Sequence, residues 1–110
     1  MNRLLCFIIT AIMIHYTSGD LAQSTAFQPL TYASGNGADK SASGTMQLFN
    51  PASTTYVKHF ITDINYYFSS DLTLRYLVAG YGNTTSAVNA IRFQMSSGNF
   101  DGTIYLYGIK

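Results

Sequence analysis

Few residues in this 110-residue chain can do proton or metal chemistry: two histidines (His15, His59), one cysteine (Cys6) and five aspartates (Asp20, Asp39, Asp63, Asp71, Asp101), with no glutamate. A zinc centre needs three or four Cys, His or carboxylate ligands, and no spacing here gathers them. His59 falls in an alternating stretch and reads as a half-buried structural residue. Cys6 has only Arg3 nearby to activate a thiol, so it reads as a small apolar side chain. A lone cysteine forms no intrachain disulfide. A glycosidase needs two carboxylates facing each other across a cleft, and nothing selects such a pair. Asp63, Asp71 and Asp101 read instead as turn residues that bond their own backbone. No G-x-S-x-G elbow, no G-K-S/T after the glycines of SGNGADKSASG and no D-x-D-x-D loop occurs, so the signatures of a hydrolase nucleophile, a phosphate loop and a calcium loop are missing. The expectation is no catalytic residue, no metal and no cofactor: not an enzyme.

The tyrosines carry more promise. Tyr66, Tyr67, Tyr76, Tyr81, Tyr105 and Tyr107 fall on or beside alternating stretches. Exposed, such rings stack on sugar faces or anchor a protein interface, and these six form the candidate binding surface. The competing reading is cross-strand packing, which aromatics favour in any sheet. The lack of tryptophan weakens the sugar case. Asn83-Thr84-Thr85 fits a glycosylation sequon but reads more simply as a turn.

The elements that must position these residues are strands. Aromatics are 15% of the chain and charged residues 10%, with a formal net charge of +1. Aromatic and β-branched residues suit a pleated, half-buried surface. The sparse charge offers no basic patch for nucleic acid. Residues 1–19 differ from the rest: Arg3 leads into an apolar run, Leu4 to Ile14. That layout reads as a signal peptide, as a misassigned start or truncated frame, or as a buried element of the fold. The run is too short for a stable membrane span.

Residues 20–43 read as an irregular lead-in, with a short strand at Phe27 to Ala33 limited by Pro29. The module proper spans 44–110. Its strands are expected at Gly44 to Asn50, Thr54 to Thr62, Leu72 to Tyr81, Asn89 to Ser97 and Thr103 to Ile109. In the second, Val57, His59 and Ile61 share one face and Tyr56, Lys58 and Phe60 the other. The third is apolar on both faces, which predicts a central place. The last two place Ile91, Phe93, Met95, Ile104 and Leu106 inward. Gly/Asn/Ser turns between them predict an antiparallel meander in a sandwich or barrel.

Three elements in order, GTMQLFNPASTTYVKHF, AGYGNTTSAVNAIRFQM and SSGNFDGTIYLYGI, resemble the C-terminal half of a family of tailed-phage and prophage structural proteins, over about Ser43 to Ile109. The resemblance implies an all-β, jelly-roll-like β-sandwich, closed by the strand at the chain's end. It implies a virion location and a non-enzymatic structural or adhesive role of tail-fibre or decoration type. The family's first strands have no counterpart here, so the sandwich is expected to be incomplete and to self-associate or join other virion proteins. The alternative is a small secreted or periplasmic β-sandwich, exported by residues 1–19, that binds cell-surface glycan or protein through its tyrosines.

Overall fold

A computed structural model of the chain describes Leu21 and residues 24–109; the readings of residues 1–19 lie outside the described residues. The described residues are all-β, with no helix. Strands β1 (Ala42–Leu48), β2 (Lys58–Phe68) and β3 (Leu72–Gly82) form one antiparallel sheet in the order β1-β2-β3.

The turns follow from local chemistry. Between β1 and β2, Asn50 takes φ 47°, a left-handed conformation that asparagine tolerates. Pro51 follows, and Ser53 N–H bonds the Asn50 carbonyl at 3.2 Å. The Ser53 hydroxyl then accepts from the N–H groups of Thr55 and Tyr56, each at 3.1 Å. Between β2 and β3, Asp71 sits at φ 59°, and its N–H closes on the Phe68 carbonyl at 3.2 Å.

Several sequence expectations are corrected. The second strand starts later, at Lys58, and runs on to Phe68; of the two readings that DINYYFSSD allows, an extension after a bend or a wide turn, the extension forms. Asp63 therefore lies within β2, not at a turn. β3 is apolar on both faces, yet among the described strands it is an edge strand; β2 is central. No strand forms over Phe27 to Ala33, Asn89 to Ser97 or Thr103 to Ile109. Near the first of these, the lead-in makes a single antiparallel bridge, Ser34 to Phe68. Alternation specifies which side chains share a face, but a strand also needs a neighbour for its ladder. Among the described residues the last two stretches have none.

Three side chains are fully buried among the described residues: Lys58, Thr62 and Tyr66. All lie on the even-numbered face of β2, with Phe60, Ile64 and Phe68 half-buried between and beyond them. Of the three, Lys58 and Tyr66 make side-chain hydrogen bonds, so directed bonds as well as apolar contact hold the β2 face.

The sheet threads two compact units. One holds the described residues up to Met46 together with Thr62–Val78; the other holds Gln47–Ile61 with the chain from Ala79 onward. In the first unit the Tyr66 hydroxyl donates to the Tyr32 carbonyl at 2.7 Å and accepts from the Tyr32 N–H at 3.0 Å. Gly35 N–H bonds the Tyr67 carbonyl, and Ser69 N–H the Ala33 carbonyl, each at 2.9 Å. These bonds lay the lead-in along the end of β2. Gly44 lets β1 approach closely: a Cβ there would collide with the Asp63 carbonyl oxygen and lie 2.7 Å from Ile64 Cα. In the second unit Lys58 Nζ donates to the carbonyls of Tyr56 (2.7 Å) and Thr84 (3.4 Å). Val88 N–H bonds the Pro51 carbonyl at 2.8 Å.

The buried Thr62 hydroxyl has no hydrogen-bond partner, whereas that of Tyr66 has two. Opposite outcomes are expected in chemical denaturation. Thr62→Val removes a desolvated hydroxyl and raises stability by about 1 kcal/mol; Tyr66→Phe strands two backbone groups and lowers it by about 1–2 kcal/mol.

Candidate interaction surface

The six tyrosines singled out by sequence do not share a surface role. In the first unit Tyr66 is 2% exposed and acts as a packing and tethering residue, so it leaves the candidate surface. Tyr67 is half-buried. Lys40 Nζ lies over its ring, 3.6 Å from the centroid, and its hydroxyl donates to Asp71 at 3.1 Å. The Tyr67 contact, opposed by partial desolvation and aided by Asp39 and Asp71, holds the Lys40 amine above its ordinary value. Tyr76 is half-buried on β3. Tyr66 and Tyr67 are thus engaged in contacts within the unit.

In the second unit Tyr81, Tyr105 and Tyr107 are exposed. Tyr81 lies against His59, with ring centroids 6.0 Å apart. His59 itself is exposed, not half-buried, because β2 turns its even-numbered face inward. Tyr105 and Tyr107 stack side by side, centroids 6.3 Å apart and planes 26° apart. That separation is near the two-residue repeat of an extended strand. Between and around them, Leu106 and Ile109 are each 89% exposed. Upstream, Ile91, Phe93, Met95 and Phe100 are also exposed. Gly98, at φ 72°, takes a left-handed turn that glycine permits at little cost. An open depression of about 570 Å³ there is lined by Arg92, Phe93, Met95, Phe100 and Asp101, among others. Nine of the eighteen exposed large hydrophobic residues thus fall in the stretch from Ile91 to Ile109.

The remaining polar groups pair structurally. Asp63 and Arg75 form a two-bond ion pair across β2 and β3, at 2.9 Å to Nε and 2.7 Å to Nη2. The Arg75 guanidinium holds the Asp63 carboxyl below its ordinary value. Asn65 Nδ2 bonds the Leu74 carbonyl, and Thr73 Oγ1 bonds Asn65 Oδ1. No group of three or more His, Cys, Asp or Glu residues that could hold a metal ion occurs among the described residues. No helix among them is long and apolar enough to cross a membrane.

Sequence reasoning missed the buried Lys58 and the Asp63–Arg75 pair. The alternation that grouped Lys58 with Tyr56 and Phe60 was the available signal for the first. The second depends on the register of β2 against β3, which no local pattern reveals. Comparison with family models, with curated proteins and with solved structures finds no match.

Because the Asp63 carboxyl is lowered on folding, its contribution to stability is full above the ordinary carboxylate value. It is lost as pH falls through the lowered one. Asp63→Asn is expected to melt below the unsubstituted chain at pH 7. The gap should narrow as pH falls below the ordinary carboxylate range, in thermal melts followed by circular dichroism. A gap that persists at the acid end would assign the effect to packing instead.

Proposed function

We propose that this chain is a non-catalytic structural or adhesive module of a phage or prophage virion, and that it works as one subunit of an assembly. One observation carries the assembly part. Among the described residues Tyr66 is the sole buried hydrophobic side chain, while eighteen large hydrophobic residues are exposed. A domain that folds for itself alone buries a contiguous apolar cluster, and exposed apolar surface on this scale is the mark of a surface awaiting a partner. A second β-layer supplied on assembly would turn the three-stranded sheet into the jelly-roll-like sandwich that the family resemblance implies. The virion setting rests on that resemblance, with its LFNP, NAIRF and TIYLYGI elements in order. The exposed Tyr105–Tyr107 pair favours one second reading, an exported module that lays these rings on glycan.

The test is composition of purified particles. Peptides of this chain, recovered at a fixed ratio to the major structural proteins after density-gradient purification, are the expected result. A chain found only free in the medium, starting near Asp20 and binding glycan through Tyr105 and Tyr107, would replace the virion reading with the exported one.

A further inference from the structure

We propose that a second copy of this chain supplies the missing neighbour of β3, by adding its Thr103 to Ile109 segment to the outer edge of that strand. The inference rests on the assembly reading above and names the contact. Its first support is the acceptor. β3 has the sequence of a central strand, apolar on both faces, but an edge position in the sheet. Natural edges are blunted by charge, proline, bulges or short length. β3 has eleven residues, no proline and one charged side chain, Arg75, whose guanidinium is already paired with Asp63. Leu72, Leu77 and Tyr81 stand exposed along it.

The donor is the second support. Thr103 to Ile109 is uncharged and alternates aliphatic with aromatic. The Tyr105 and Tyr107 rings stack, at a separation near the two-residue repeat of an extended strand. Ile104, Leu106 and Ile109 are exposed, and the segment pairs with no strand among the described residues. Adding an uncharged strand to an edge whose single charge is paired leaves no ion buried without a partner. The main-chain ladder supplies affinity, and alternate side chains supply register. Every copy carries both an acceptor edge and a donor segment, so the contact is either reciprocal, closing a dimer, or head-to-tail, giving a ring or an open filament.

The full chain and Ile104→Pro/Leu106→Pro are compared by native mass spectrometry and amide hydrogen exchange. Both sites are solvent-exposed, so the variant keeps the sheet's circular dichroism. A second variant, Leu106→Lys, retains every main-chain donor and tests the apolar contact alone. The expected result is an oligomer whose β3 amides are protected, loss of both oligomer and β3 protection in the proline variant, and a weakened oligomer in Leu106→Lys. An oligomer that survives the proline variant overturns this contact and leaves the assembly reading standing. A monomer whose β3 amides are protected in the full chain and released in the proline variant means that the segment closes on its own chain, and overturns it too. A monomer with freely exchanging β3 amides also overturns this contact, and leaves the assembly reading to the composition of purified particles.

Discussion

The structure depends on how β2 satisfies its even-numbered face. Lys58, Thr62 and Tyr66 are all buried there, and each polar end needs a partner or costs free energy. Tyr66 solves this by clasping both backbone groups of Tyr32, and so ties the lead-in to the end of the sheet. Lys58 solves it by reaching two carbonyls, Tyr56 and Thr84, which holds the segments before β2 and after β3. Thr62 leaves its hydroxyl without a partner. Each unit thus has one polar tether, Tyr66 in the first and Lys58 in the second.

A short chain buries a smaller share of its surface than a long one and has little margin for exposed apolar side chains. Here the largest apolar contributors, from Ile91 to Ile109, remain at the surface. On the assembly reading proposed above, these side chains are the ones that contact with another chain would cover.

Much of the fold was legible in the sequence, for reasons that can be named. GTMQLFN placed β1 within two residues, with Met46 and Leu48 on the half-buried face. LTLRYLVAGYG placed β3 almost to the residue. Local alternation, which a single sequence displays, marks the segments able to form strands. It does not mark strand neighbours, so β3 was assigned to the centre and found at an edge. The same gap explains NAIRFQM and TIYLYGI, whose alternation is clean but whose ladders have no partner among the described residues. Of the candidate tyrosines, sequence could not separate Tyr66 from Tyr105: both sit in aromatic, alternating runs. What distinguishes them is Tyr32, thirty-four residues from Tyr66 in the chain, and no local pattern encodes that contact.

The central claim is that this chain reaches full stability only in contact with another chain. The most direct measurement is the thermal midpoint of the full chain across a hundredfold range of protein concentration. Coupled folding and association makes the midpoint rise with concentration by mass action, and that rise is the result the account predicts. A sharp, cooperative transition whose midpoint does not move with concentration would mean that the chain is stable alone, and would contradict the account.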